Sequence, residues 1–287
     1  MSAILEVKGL NKKYKNSDFC LKDVSFSIPS GSIMGFVGEN GSGKSTTIGC
    51  ILNTLIKDSG TVKIFGRDMT DDSTDIRDDI GVVYDSNAFP AHLTPLKISS
   101  AMRDIFSQWD DALFKEYLKK LKLPEKRKIK EFSRGMTMKL GVAAALSHRP
   151  KLLILDEATS GLDPIVRDDI LDLFLEFVHD ENNSILLSSH ITSDLEKVAD
   201  YITFIHDGKI ILCETKDNLI YNYGVMRCKS AQFEQVDKPD MCAYRKRGYQ
   251  IDVLVSDKQT AVKKYRDIVI DSITIEEIML MLVKGEK

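Results

Sequence analysis

Three short stretches of this 287-residue chain are almost wholly apolar: Ile33 to Val37, Leu152 to Leu155 and Ile185 to Ser188. A strand with one wet face alternates apolar and polar residues, whereas a strand covered on both faces does not. These three are therefore predicted as central strands of a parallel sheet. Each gives way to glycine-rich or polar residues and then to a segment of helical period. That is the order of an open α/β sheet, in which ligands collect at the carboxyl ends of the strands. Ile4 to Leu10, Val24 to Ile28 and Thr61 to Phe65 alternate in part and are separated by turns at Pro29-Ser30-Gly31 and Ser59-Gly60. They predict an antiparallel sheet beside the main one. From about Leu96 to His148 the period is helical, with Leu113, Phe114, Tyr117, Leu118 and Leu121 on one face. Beyond Tyr221 follow an alternating strand (Tyr249, Ile251, Val253, Val255) and a last helix opened by a capping box, Thr274 with Glu277. The expected architecture is α/β, with a mostly parallel core sheet, an N-terminal antiparallel β subdomain, a helical insertion at about 88–150 and a small C-terminal α+β extension. The division falls into 1–220 and 221–287.

Composition narrows the class without naming a function. Apolar residues make up 43% and charged residues 29%, an ordinary globular profile. A net charge of -3 gives the whole molecule little pull on nucleic acid and leaves room only for a local basic patch. The five cysteines are scattered, with no C-x-x-C pair, which points to a reducing compartment and no structural zinc. Near the N-terminus Glu6 and Lys8 arrive before any signal-type apolar region builds up. No apolar run approaches the ~20 residues that a bilayer span requires. Work at a membrane would depend on another polypeptide's helices.

The chemistry begins at Gly38-Glu39-Asn40-Gly41-Ser42-Gly43-Lys44-Ser45, which fits G-x-x-x-x-G-K-[ST] between the strand ending at Val37 and a helical stretch from Thr46 to Ile56. Glycines let the backbone curl so that successive N–H groups and the helix N-terminus converge on phosphate oxygens. Lys44 then reaches the β- and γ-phosphates, and the Ser45 hydroxyl suits Mg²⁺. The stretch resembles the phosphate loop of a P-loop NTPase. The second candidate centre is Asp156-Glu157, closing the apolar strand Leu152 to Leu155. Phosphoryl transfer requires a positioned metal and an oriented water, which suits Asp156 as metal-side acid and Glu157 as general base. Two acids capping the next helix is the plainer alternative for that pair.

With these motifs in order, residues 1–220 resemble an ATP-binding cassette protein, the nucleotide-binding subunit of an ABC transporter. Phe132-Ser133-Arg134-Gly135-Met136 stands where the family signature L-S-G-G-Q belongs, Ser160-Gly161-Leu162-Asp163 matches the D-loop, His190 the switch histidine and Tyr14 the adenine-stacking aromatic. The resemblance implies a cofactor-binding set of Tyr14, Gly38, Asn40, Gly41, Ser42, Gly43, Lys44, Ser45, Thr46, Ser133, Gly135 and Asp163. It implies catalytic roles for Glu157, His190 and Lys44, with ATP and Mg²⁺ as ligands. It further implies two cassettes paired head to tail, each signature completing the partner's phosphate loop, and a separately encoded multispan membrane subunit. The chain would then lie on the cytoplasmic face of the membrane, with no nucleic acid partner.

Three positions, in two motifs, depart from the family pattern. Asp85, in Ile80-Gly81-Val82-Val83-Tyr84-Asp85-Ser86-Asn87, stands where the family carries a Mg²⁺-sensing glutamine, which makes it a further metal candidate beside Ser45 and Asp156. In the signature, Arg134 replaces a glycine and Met136 a glutamine. Such variants resemble the ATPases of bacterial ABC-2-type exporters, including those for antimicrobial peptides and toxins, and the short tail fits that branch. The alternative is a soluble cassette ATPase acting on ribosomes or nucleic acid. Such proteins usually carry two cassettes or a long coiled coil, and this chain has one phosphate loop and no sustained heptads.

Overall fold

The computed structural model describes residues 3–15, 18–85 and 89–286. Met1 and Ser2 of the N-terminus, Ser86 and Asn87 of the departing stretch, and position 88 at the start of the expected helical insertion lie outside them.

The first sheet is antiparallel. Strands β1 (Ala3–Lys13), β2 (Cys20–Pro29), β4 (Ser59–Ile64) and β5 (Arg67–Asp68) lie in the order β2-β1-β4-β5. The central sheet has six strands: β3 (Ile33–Val37), β6 (Ile80–Tyr84), β7 (Leu152–Asp156), β8 (Ser184–Ser189), β9 (Tyr201–His206) and β10 (Lys209–Thr215). Their order is β10-β9-β3-β8-β7-β6, and only the β9–β10 pair is antiparallel. Every residue of β3, β7 and β8 is buried, as their unbroken apolar character requires. Alternate side chains feed two different cores. Met34, Phe36, Leu152, Ile154 and Leu186 pack toward the N-terminal sheet, whereas Ile33, Val37, Leu153, Leu155 and Leu187 join the larger cluster. Each such large side chain, fully buried, contributes about 1.5–3 kcal/mol of apolar transfer free energy.

Helix α1 (Lys44–Ile51) follows β3, and the short α2 (Thr74–Asp78) precedes β6. The expected helix to Ile56 stops earlier, because the chain turns at Leu52 and Asn53 takes a left-handed φ of 56°. The single helical reading over 96–148 resolves into α3 (Pro95–Ile105), α4 (Asp111–Lys120) and α5 (Arg134–Leu146). Thr94, Asp110 and Ser133 cap the three N-termini through their side-chain oxygens. Helix α6 (Pro164–Phe177) leads into β8, and α7 (Thr192–Val198) leads from it into β9.

The C-terminal part builds a third, antiparallel sheet from β11 (Gly224–Cys228), β12 (Ala243–Arg247), β13 (Gln250–Val255) and β14 (Val269–Asp271), in the order β12-β13-β11-β14. Helices α8 (Ser230–Phe233), α9 (Lys258–Lys264) and α10 (Ile275–Lys284) complete it. The capping box forms as expected: Thr274 N–H donates to Glu277 and Glu277 N–H to Thr274. The alternation expected around β13 does not hold. Tyr249 lies fully exposed in the preceding turn, and Ile251 to Val255 are all buried, Asp252 included, paired with Arg227 at 3.0 Å and Arg247 at 3.3 Å. Leu219, Tyr223, Val225, Leu254, Ile275 and Ile278 belong to the same apolar cluster as the central sheet.

Candidate functional site

The carboxyl ends of β3, β7 and β8 converge on one group of polar side chains. From β3 the chain enters the glycine loop, where close packing leaves no room for side chains. A Cβ on Gly38 would fall 2.3 Å from Ser42 Oγ and 2.5 Å from the Ile205 carbonyl oxygen. Gly43, with φ 117°, is the N-cap of α1, and a Cβ there would meet Leu21 at 2.7 Å and Phe19 at 3.0 Å. The helix therefore starts without a side-chain cap, its first N–H groups turned toward the loop. Lys44 folds back across that loop, its Nζ donating to the Gly38 carbonyl at 2.6 Å and lying 3.3 Å from that of Glu39. Lys44 is only 5% exposed. The buried Ser42 hydroxyl has no hydrogen-bond partner among the described residues, an orphaned group inside a cradle that a Cβ would fill. Both features fit an anion, and the ring of backbone donors fits a polyphosphate.

Asp156 ends β7, buried, and accepts from Ser188 Oγ of β8 at 2.9 Å. Tyr84, its neighbour in register on β6, has a phenol pKa raised first by burial and then by the Asp156 charge. Glu157 comes next, with φ 56°, a left-handed backbone that non-glycine residues seldom adopt. Its N–H donates to the Ser188 carbonyl at 3.1 Å, which fixes the turn. Its two carboxylate oxygens part company: Oε2 meets His190 Nδ1 at 2.6 Å, and Oε1 lies 3.1 Å from Lys44 Nζ, an ion pair whose geometry falls short of a hydrogen bond. Lys44, Glu157 and His190, 146 positions apart end to end, thus form one chain of charge-assisted contacts.

Tyr14 follows β1 half-buried, its hydroxyl 3.5 Å from Thr46 Oγ1 of α1 and Lys12 Nζ 5.6 Å from its ring centroid. Ser45 presents its hydroxyl at the surface at the start of the same helix. Ser133 caps α5, accepting from Met136 N–H at 3.2 Å, and Gly135 abuts Val166 of α6. Asp163 caps α6, accepting from Val166 N–H at 3.0 Å. Among the described residues no hydrogen bond or ion pair links Ser133, Gly135 or Asp163 to residues 38–45. One chain therefore presents two separate phosphate-type helix ends. Asp85, the further metal candidate, receives Arg134 Nη2 on its carboxylate at 2.5 Å. A charge-assisted contact of this kind fixes the orientation of the carboxylate.

Several contributors carry no sequence signal of their own. Ser188 is one of two serines ending an apolar strand, and only the strand order places it beside Asp156. His206 Nδ1 contacts Glu39 of the glycine loop at 3.0 Å, and Arg167 reaches from α6 to buried Asp194 of α7 at 3.6 Å. Phe19 and Leu21 roof Gly43 from the N-terminal sheet.

The donor set suits a magnesium polyphosphate. Mg²⁺ prefers oxygen ligands, one or two from protein and the rest from water and phosphate. The Ser45 hydroxyl and the Asp156 carboxylate supply that chemistry, and among the described residues no three His, Cys, Asp or Glu side chains form a self-sufficient metal cage.

Comparison with known proteins agrees with this geometry. The family model described as ABC transporter matches residues 21–160. The chain is 35% identical over 213 residues to the bacitracin transport ATP-binding protein BcrA of Bacillus licheniformis, covering 74% of this chain and 69% of the relative. It is 35% identical over 214 residues to the lantibiotic transport ATP-binding protein SrtF of Streptococcus pyogenes, covering 73% and 90% respectively. A solved ATP-binding subunit of an ABC transporter superposes with a TM-score of 0.69 at 27% identity, over 75% of this chain and 91% of that one.

Proposed function

Because this chain belongs to the ABC transporter family, we propose that it is the ATP-binding and ATP-hydrolysing subunit of an exporter whose membrane-spanning part is a separate polypeptide. The observation that carries the reading is Glu157, held in a strained backbone between Lys44 and His190 at the mouth of the glycine loop. A left-handed non-glycine residue costs about 1–2 kcal/mol and persists where the surroundings impose it, which motivates a functional reading.

In this reading the backbone donors of Gly38 to Lys44 bind the β- and γ-phosphates of ATP, and Tyr14 offers its face to the adenine. Lys44 leaves the Gly38 carbonyl for the phosphate. Glu157 Oε2 accepts a proton from the attacking water, and His190, with Nδ1 engaged by Glu157, offers Nε2 to the γ-phosphate. Ser45 and Asp156 would hold Mg²⁺, which when bound neutralises phosphate charge. Ser133 and Gly135 would close on the nucleotide of a second cassette, giving a head-to-tail pair with Asp163 near the seam. A cavity of about 1190 Å³ between β6 and the helical block, lined by Ile80, Phe89, Met102, Phe106, Phe132 and Met138, suits an apolar segment of the membrane partner. No helix among the described residues is long and apolar enough to cross a membrane itself. The cargo class we favour is a peptide antibiotic or related amphiphile, on the names of the two relatives.

The test is Glu157→Gln in the full chain. ATP binding persists, turnover falls by about 10²-fold or more, and a nucleotide-dependent dimer accumulates in light scattering. Lys44→Ala loses nucleotide binding itself. Wild-type turnover in Glu157→Gln, or copurification with ribosomes and no multispan protein, overturns the reading.

A further inference from the structure

Two of the positions at which the chain departs from its family's pattern meet each other. Arg134, the first residue of α5, reaches Asp85 at 2.5 Å across 49 positions of sequence. Asp85 directly follows β6, whose last residue lies in register with Asp156. The same guanidinium covers Gly161, where an added Cβ would fall 2.7 Å from Nη1 and 2.9 Å from Cζ, and where φ is +66°. One residue on, Gly135 packs against Val166, with 3.2 Å between a Cβ built there and the valine side chain. Arg134 thus stands where three segments meet: the helix tip bearing Ser133 and Gly135, the strand end beside Asp156, and the turn before Asp163.

A cation at the first position of a helix sits on the positive end of the backbone dipole, an unfavourable placement that a facing carboxylate offsets. Neutralised by Asp85, the arginine leaves the α5 terminus open to an anion. Its planar fork fixes direction as well as distance, which a lysine would not. Both side chains are about half exposed, so the pair contributes little to stability as such. Its effect is geometric.

We infer that Arg134 and Asp85 form a positioning pair, which fixes the Ser133–Gly135 helix tip relative to the strand end at Asp156 and the turn at Gly161, so that the tip is presented correctly to the nucleotide of a second subunit. The inference rests on the paired-subunit reading above. Substitution of either member lets the tip shift, and a shift of about 1 Å at a phosphate-binding end is enough to cost up to 10²-fold in rate.

A double-mutant cycle on the full chain tests it, with Asp85→Asn, Arg134→Gln and both together. The readouts are steady-state turnover, ATP affinity, the Mg²⁺ concentration for half-maximal rate, and hydrogen exchange over residues 133–141. Each single variant loses about ten-fold in turnover while ATP affinity and Mg²⁺ dependence stay within about two-fold of wild type. The double variant loses no more than either single, because the pair acts as a unit. Exchange over the α5 N-terminus rises equally in all three, a readout that requires no turnover. Losses that multiply, or an Mg²⁺ requirement raised in Asp85→Asn but not in Arg134→Gln, overturn the inference, and the latter outcome restores Asp85 as a metal ligand. Unchanged turnover and exchange in both singles overturn it too. Failure of the underlying reading is distinct: the wild-type chain itself then neither turns over nor dimerises with nucleotide.

Discussion

Replacing Glu157 by alanine and, separately, by glycine isolates the cost of its backbone. Both variants lose the 2.6 Å contact to His190 and the 3.1 Å contact to Lys44, so those losses cancel between them. What remains is the φ of 56°. Alanine there retains a steric penalty of about 1–2 kcal/mol, which glycine escapes. Glycine brings a more flexible unfolded chain, worth about 0.5–1 kcal/mol in the opposite direction. The net expectation is that Glu157→Gly is the more stable of the two by roughly 0.5–1 kcal/mol. For a chain of this length, with an unfolding entropy near 2 cal/mol/K per residue, that corresponds to about 1–2 °C in Tm. Urea unfolding of the nucleotide-free proteins resolves it better, since a common slope turns the midpoint difference directly into free energy. Equal midpoints, or alanine ahead of glycine, would show that the backbone stores nothing at this residue, and the argument from strain to function would fall with it.

Two further expectations follow from buried polar groups. Ser188→Ala removes the hydroxyl that donates to the Asp156 carboxylate and should weaken Mg²⁺-dependent turnover by about 10-fold or more, with metal-free nucleotide binding nearly intact; a uniform loss of both would count against Asp156 as the metal-side acid. His148 is buried, stacked on Phe106 at 4.0 Å with Nε2 against the Ile80 carbonyl, and burial lowers its pKa from 6.5. The unfolded state then binds the proton more readily, so stability is full above about pH 6.5 and declines as pH falls toward the folded value. Thermal melts of His148→Phe should show a shallower acid decline than wild type, and parallel curves would refute the assignment.

Motifs whose chemistry is contiguous in the chain were legible from sequence. Gly38 to Ser45 declares itself because loop, lysine and helix start are consecutive, and Asp156-Glu157 because two acids end an apolar run. The double burial of β3, β7 and β8 was legible from the same lack of alternation. Relations between distant segments were not. Nothing near Asp85 announces Arg134, and nothing near Asp156 selects Ser188, because those meetings depend on strand order and helix placement. The handedness of Glu157 was hidden for a related reason, since it is imposed by the Ser188 carbonyl, Lys44 and His190 together. Around β13 the alternating letters misled, because Asp252 is buried with two arginines and the apparent polar face is covered.

The tail is more than an attachment. The Ile275 N–H donates to Glu196 of α7 at 3.1 Å, and the residues that flank it merge with the interior beneath the central sheet. Cutting the polypeptide near residue 220 would therefore lay bare greasy surface on the helix that begins two positions after His190, leaving a shortened protein prone to clumping. The last helix is thereby tied, through Glu196, to the element that follows His190.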